Sequence, residues 1–175
     1  MQPLLFLDFD DVICLNDPYG GYDVAARDPP PDLWTRLFNR SCTRRLLRII
    51  KEAQPRVIIT TSWLLFMERP GFEQLFAQTG LSPVADALDE AWEAPARRGD
   101  TRLVAINRWL AAHHQGEPYA VLDDHLSGTD LAASDHDLAD RVALCEPNVG
   151  LQEEQLALVL KALGTPFGIT RCPRI

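Results

Sequence analysis

Five carboxylates directly follow two apolar runs of the sequence: Asp8, Asp10, Asp11, Asp123 and Asp124. Residues two apart on an extended chain point to the same side, so Asp8 and Asp10 are expected to share one site. Acidic residues often begin loops, but two such groups favour a shared site over chance. Converging carboxylates repel one another unless a cation lies among them, and ligation by oxygen alone favours Mg²⁺. The pattern predicts a hard-metal site, although spacing alone leaves a Mg²⁺-binding receiver-like domain as an alternative.

Hydroxyl and guanidinium groups add a second chemical feature. Three hydroxyls close another apolar run: Thr60, Thr61 and Ser62. Hydroxyls at a strand's carboxyl end can donate hydrogen bonds to phosphoryl oxygens, although β-branched packing and a cap for the next turn also explain them. Arg102 lies at the start of a predicted helix, so its guanidinium can reach inward and offset phosphate charge. Arg97 and Arg98, in the preceding loop, are the alternatives for this role.

Short apolar strands and amphipathic helices must position these groups. Four runs have the character of buried strands: residues 4–7, 57–60, 119–122 and 142–145. Helical periodicity follows Ser41 as a predicted N-cap and recurs in three further segments: about 72–78, about 100–116 and 156–164. Strands alternate with helices, which predicts an α/β fold with a Rossmann-like parallel sheet and helices on both faces. We expect one domain over residues 1–175, with its ligand crevice at the carboxyl ends of the strands.

Composition excludes several classes of protein. The formal charge of −8 gives no general attraction to nucleic acid or anionic membranes, so we expect neither membrane association nor strong general nucleic-acid binding. No stretch approaches the roughly 20 apolar residues of a membrane span, and the N-terminus does not read as a signal peptide. Four widely spaced cysteines without a CxxC pair favour reduced thiols in a cytoplasmic protein.

One basic stripe departs from this acidic average. Its members recur at three-to-four spacing: Arg36, Arg40, Arg44, Arg48 and Lys51. A helix there could guide a nucleic-acid phosphate towards the site, but a solvated helix face is the preferred interpretation because the whole chain is acidic.

The motifs resemble, in order, those of the haloacid-dehalogenase-like (HAD) superfamily. They are the segments LFLDFDDV (5–12), VIITTSW (57–63), Arg102 ahead of Ile106, and VLDD (121–124). The closest likeness is to the small phosphatase domains associated with Swiss Army Knife RNA-repair proteins, which tend to carry TSW and LDD motifs. The resemblance covers nearly the whole chain, and its specific parts are the DxD and LDD motifs.

The resemblance implies a role for each site residue. Asp8 would attack phosphorus to form an aspartyl phosphate, and Asp10 would protonate the leaving oxygen and then activate water. Mg²⁺ would be held by four residues: Asp8, Asp10 through its backbone carbonyl, Asp123 and Asp124. Thr61 corresponds to the phosphate-binding hydroxyl, with Thr60 as second choice, and Arg102 stands where Lys is more common. Further substrate contacts are expected from Thr60, Ser62 and Asp11.

Two departures from the family pattern bear on turnover. Asp11 stands where Gly is usual. Arg102 has a planar guanidinium where the family more often has the compact ammonium of Lys. The gaps between motifs leave room for a minimal cap at most. An open site suits polymer ends or protein phosphoresidues, and small substrates are also compatible with it. We expect a Mg²⁺-dependent phosphomonoester hydrolase, with a nucleotide or nucleic-acid end as one candidate substrate. The alternative is a phosphate- or partner-binding regulatory module with little turnover, which Asp11 favours.

Overall fold

The computed structural model describes residues 1–167, and within them the core is a five-stranded parallel sheet. The strands are β1 (Leu4–Leu7), β2 (Arg56–Ile59), β3 (Leu88–Glu93), β4 (Tyr119–Asp124) and β5 (Val142–Cys145). Their order is β3-β2-β1-β4-β5, with every pair parallel. The predicted Rossmann-like α/β fold is confirmed.

The described residues also contain eight α-helices and one 3₁₀ helix. The helices are α1 (Gly21–Val24), α2 (Leu33–Arg36), α3 (Arg40–Ala53), α4 (Arg69–Gln78), α5 (Ser82–Asp86), α6 (Arg102–His113), α7 (Asp135–Leu138) and α8 (Glu153–Gly164), and the 3₁₀ helix is Ser62–Leu65. No helix within residues 1–167 has both the length and the apolar character that a membrane span requires.

Alternation along β1 divides the interior into two cores. Leu5 and Leu7 belong to the larger core, which is covered by α3, α4, α5 and α8, while Leu4 and Phe6 belong to the smaller core under α6. Successive side chains of a strand point to opposite faces, so a sheet with helices on both sides needs apolar residues throughout. All four residues of β1 are fully buried, as this arrangement requires.

The segment between β2 and β4 differs most from the sequence-based expectation. Instead of helices alone it also contains β3, an edge strand whose buried residue is Asp89 rather than an apolar side chain. The Asp89 carboxylate accepts a 2.7 Å hydrogen bond from Arg56, which compensates its burial. Helices α4 and α5 contribute to the larger core, for example through Phe72 and Val84, so they are not a cap over the site.

The start of α3 and the state of the cysteines can be compared with the sequence-based expectations. Helix α3 begins at Arg40 and its N-cap is Asn39, whose side chain accepts from the backbone N–H of Ser41. The prediction of Ser41 as N-cap is therefore wrong, because Asn39 precedes it with the extended backbone that a cap needs. The cysteines within the described residues (Cys14, Cys42 and Cys145) are buried free thiols, and Cys172 lies outside the described residues.

Candidate active site at the carboxyl edge of the sheet

The register of the three central strands places their polar end residues next to one another. Leu7 pairs with Ile59 on one side and Leu122 on the other, so the next residues along the three strands, Asp8, Thr60 and Asp123, lie side by side. The Asp8 side chain projects from the same sheet face as Phe6, towards α6, because alternate residues share a face. At this edge the chain order of a parallel sheet reverses around β1, which is where such folds bind ligands.

Arg102, the first residue of α6, joins the two central carboxylates. Its Nη2 donates a 3.1 Å hydrogen bond to Asp8 Oδ1. Its Nε lies 2.8 Å from Asp123 Oδ2 without pointing its hydrogen at that oxygen, so this second contact is electrostatic attraction rather than an aligned hydrogen bond. All three side chains are nearly or fully buried, where a charge without a partner would be strongly unfavourable.

Asp8, Asp123 and Asp124 form a carboxylate trio, each offering an oxygen within 4.8 Å of the others. One oxygen of Asp123 and one of Asp124 accept backbone N–H groups, which orients both side chains. The remaining Oδ2 atoms of the trio are buried and lack a hydrogen-bond partner in the described part of the chain. Buried carboxylate oxygens normally have partners, and an all-oxygen donor set suits a hard divalent cation such as Mg²⁺. The trio therefore fits a metal of this class.

The ionisation of the trio reflects its burial. Desolvation raises the pKa of Asp8 well above its ordinary value, and the negative charge of Asp123 raises it further, against the opposing effect of Arg102. Desolvation likewise raises the pKa of Asp123 to about 7, although Arg102 acts to lower it. One arginine thus does not fully compensate these carboxylates, and an additional positive charge would stabilise their ionised forms.

Asp10 lies beside the carboxylate trio rather than within it. Strand β1 ends at Leu7 and a turn begins at Phe9, but the negative charge of Asp10 is still close enough to Asp8 to raise the pKa of that carboxyl. The Asp10 Oδ2 atom accepts a 3.0 Å hydrogen bond from Trp63 Nε1. Burial raises the pKa of Asp10, which favours a protonated carboxyl able to donate to a substrate.

Trp63 combines core packing with a polar contact that the sequence did not indicate. The ring is buried and packs against Phe9, with ring centroids 5.3 Å apart. The indole N–H nevertheless points at Asp10. The TSW motif places Trp63 one residue after Ser62, whose hydroxyl also contacts Asp10 at 3.4 Å, and this adjacency is the one sequence signal that could have indicated the role.

A cavity of about 300 Å³ opens beside Arg102 and contains the predicted phosphate-binding hydroxyls. Thr60, Thr61 and Ser62 all line it. Thr60 Oγ1 is buried without a partner in the described residues, whereas Thr61 Oγ1 accepts from the backbone N–H of Trp63 and caps the 3₁₀ helix. Ser127 and Thr129, which the sequence did not single out, also line it.

The guanidinium alternatives separate clearly in space. Arg102 lines the cavity and contacts Asp8, while the side chains of Arg97 and Arg98 belong to exposed residues of the loop before α6. A buried guanidinium held by carboxylates keeps its fork oriented, and the N–H groups that Asp8 does not use remain available to a phosphoryl group.

Asp11 has a structural explanation for its departure from Gly. Its φ of 53° lies in the left-handed region that favours glycine. The Asp11 carboxylate accepts a 2.7 Å hydrogen bond from the backbone N–H of Asn148, which joins the loop after β1 to the loop after β5. Aspartate tolerates this backbone region better than most residues, and the hydrogen bond offsets the remaining cost.

The predicted basic stripe is interrupted. Arg36 lies on α2, apart from α3, and pairs with Asp32. Arg48 pairs with Glu52 and Glu153, so its charge is partly neutralised. The preferred interpretation of this stripe as a solvated helix surface agrees with these exposed pairs.

Comparison with known proteins assigns the family. The model of the HAD domain in Swiss Army Knife RNA repair proteins matches residues 4–156. This range includes every strand of the sheet, the carboxylate trio and Arg102. A search of curated proteins and a search of solved structures each found no match. Because the family model covers most of the chain, this protein belongs to the HAD domains of the Swiss Army Knife RNA repair type.

Proposed function

We propose that this HAD domain is a single-domain Mg²⁺-dependent phosphomonoester hydrolase that acts through an aspartyl phosphate on Asp8. Family membership supports a phosphatase-type hydrolase with a phosphorylated substrate and a divalent metal. The observation that carries the proposal is the meeting of Asp8, Asp123 and Asp124, each with a buried oxygen that lacks a hydrogen-bond partner in the described residues, next to Arg102.

The first step would transfer the phosphoryl group to the protein. A carboxylate oxygen of Asp8 bonds to phosphorus while the ester P–O bond breaks, and Asp10 gives its proton to the departing alcohol oxygen. Arg102 and the hydroxyls of the 300 Å³ cavity bind the phosphoryl oxygens and hold them in place.

The second step would return Asp8 to its starting state. Asp10, now a carboxylate, takes a proton from water as the water oxygen bonds to phosphorus, and the bond between phosphorus and Asp8 breaks to release inorganic phosphate. Asp8, Asp123, Asp124 and the Asp10 backbone carbonyl would hold Mg²⁺, which would offset the negative charge of the carboxylates and of the phosphoryl group.

A substrate panel tests this function directly. We expect phosphate release from at least one phosphomonoester, with nucleoside monophosphates and 5′- or 3′-phosphorylated oligonucleotides included, in Mg²⁺ but not in excess chelator. Saturable binding of these compounds without release by the wild-type protein would instead support the regulatory binding module. Asp11, the residue that favoured that alternative, is accounted for by its bond to Asn148.

Mg²⁺ is expected to stabilise the fold, and more so at neutral than at acidic pH. The folded-state pKa of Asp123, about 7, exceeds its ordinary value of 3.8, so metal-free stability should fall as pH rises between these values. Mg²⁺ binds the ionised carboxylates and reverses this loss, by about 2.7 kcal/mol at a hundred times its Kd. Thermal unfolding with and without Mg²⁺ at pH 5 and pH 8 measures both effects.

Asp123→Asn provides the control for this stabilisation. The variant keeps the size of the side chain but removes its charge, so it should weaken the Mg²⁺ effect and flatten the pH dependence of the metal-free protein. An equal Mg²⁺ shift at both pH values, or an unchanged shift in Asp123→Asn, would contradict the assignment of the trio as the metal site.

Trp63→Phe is expected to slow the reaction according to the leaving group. The substitution removes the N–H donor to Asp10 but retains an aromatic ring against Phe9. This hydrogen bond lowers the pKa of Asp10, so its loss makes the carboxyl a weaker acid and predicts about a tenfold lower kcat for alkyl phosphates. Aryl phosphates with acidic leaving groups need less proton donation, so their kcat should change less. Equal slowing of both substrate classes would show that Trp63 does not act through Asp10.

A further inference from the structure

An exposed apolar surface lies beside Asp10 on the side away from Arg102. We define the aromatic shelf as Tyr22, Leu65 and Phe66, whose exposed fractions are 96%, 83% and 46%. With Asp10 they line a second cavity, of about 600 Å³. Large apolar side chains with this exposure around one concave surface are typical of a binding site rather than of an ordinary protein surface.

The helix that carries Tyr22 packs through its backbone against Trp63, the residue that contacts the candidate acid. A Cβ atom on Gly21 would come within 2.7 Å of Trp63 Nε1, so the backbone of α1 lies directly against the indole that donates to Asp10. Tyr22 follows Gly21 and is thereby held at the cavity beside the Asp10 carboxyl. A side chain at position 21 would separate α1 from Trp63, which explains why glycine is needed here.

The two cavities are adjacent and differ in the chemical groups that line them. Ser62 and Leu65 line both, so a molecule can extend from the hydroxyls and Arg102 of the first cavity, past Asp10, onto the shelf. Neither Lys nor Arg lines the second cavity in the described residues. A phosphoryl group is therefore favoured in the first cavity, and an uncharged group in the second.

We propose that the aromatic shelf is a subsite that binds the base of a nucleoside whose phosphate ester is cleaved at Asp8. This inference rests on the proposed function, because it takes the oxygen protonated by Asp10 to be the nucleoside oxygen. Tyr22 and Phe66 offer rings for stacking, which every base can use. Asn16 and Ser62 supply polar groups between Asp10 and the shelf, at the place that the sugar hydroxyls would occupy.

The test compares a ring-bearing with a ringless substrate in shelf variants. Tyr22→Ala and Phe66→Ala should each raise KM for a nucleoside monophosphate about tenfold, within the range for base–aromatic stacking. Both should leave KM for ribose 5-phosphate unchanged. Leu138→Ala is the matched control, because it truncates an apolar side chain of 78% exposure outside both cavities. An equal change for both substrates, or no change for either, overturns the inference.

A binding measurement separates this inference from the proposed function. Asp8→Asn should bind the nucleoside monophosphate more tightly than ribose 5-phosphate in calorimetry, and Tyr22→Ala in that background should remove the difference. If the wild type releases no phosphate, the hydrolase proposal fails while this binding comparison still decides the role of the shelf. Equal affinity for the two compounds overturns it.

The source of the nucleotide is addressed by two further substrates. A nucleoside monophosphate and a short single-stranded oligonucleotide with a terminal phosphate present the same terminal base and ester. A higher kcat/KM for either one supports base binding at the shelf, and it shows whether the substrate is a free nucleotide or a nucleic-acid end. A phosphotyrosine peptide also carries an aromatic ring, and its preference over both nucleotides would overturn the nucleoside assignment.

Discussion

Asp8→Asn is expected to lower kcat at least about 10⁴-fold while the protein remains folded. The substitution replaces the attacking oxygen with an amide that cannot form the aspartyl phosphate, and no second carboxylate of the trio is placed next to Arg102 Nη2 in the same way. The variant side chain has nearly the same shape as aspartate. Phosphate release under saturating Mg²⁺ gives the comparison.

The stability of Asp8→Asn distinguishes a catalytic loss from unfolding. Because burial and the charge of Asp123 raise the pKa of Asp8, its ionised form is unfavourable in the metal-free fold, and a neutral amide should be tolerated there. Asp28→Asn makes the same chemical change at an exposed residue and should retain full activity. Substantial turnover by a well-folded Asp8→Asn protein would remove Asp8 from the mechanism.

Arg102→Ala is expected to have the second-largest effect, on both activity and stability. It removes the only guanidinium within hydrogen-bond distance of Asp8 in the described residues, and kcat/KM should fall about 10²- to 10³-fold, as for loss of a donor to developing negative charge. It also leaves buried carboxylates without their partner, which costs about 3 to 5 kcal/mol of unfolding free energy in the metal-free protein.

Two further variants show whether the charge, the planar shape or the position of the Arg102 guanidinium matters. Arg102→Lys retains the positive charge and loses only the planar fork, so it should recover most of the stability and act within about tenfold of the wild type. Arg97→Ala removes an exposed guanidinium from the loop before α6 and should leave both quantities unchanged. A larger loss of activity in Arg97→Ala than in Arg102→Ala would reverse the assignment of the phosphate-binding arginine.

The central strands and acids could be predicted because their signals are local. Apolar runs such as Leu4–Leu7 must be buried on both faces, and the acids that follow them must lie at the carboxyl edge of a parallel sheet. Strand β3 has no such signal: it lies at the sheet edge, contains acidic residues, and buries Asp89 against Arg56. Hydrophobic pattern cannot identify a strand whose burial depends on a distant ion pair.

The remaining site features depend on contacts between distant parts of the chain. Trp63 reaches Asp10 across 53 positions, and Asp11 accepts from Asn148 across 137. Neither contact follows from composition or periodicity, because both are set by how the loops after separate strands meet.

The most direct test of the account is chemical trapping of phosphorylated Asp8. Wild-type protein quenched during turnover and reduced with borohydride should contain homoserine at position 8, identified by mass spectrometry of the N-terminal tryptic peptide. A covalent phosphoryl group on Asp8 is the predicted result. Reduction at Asp10 or Asp123 instead, or no reduction at any carboxylate during active turnover, would contradict the assignment of Asp8 as the nucleophile.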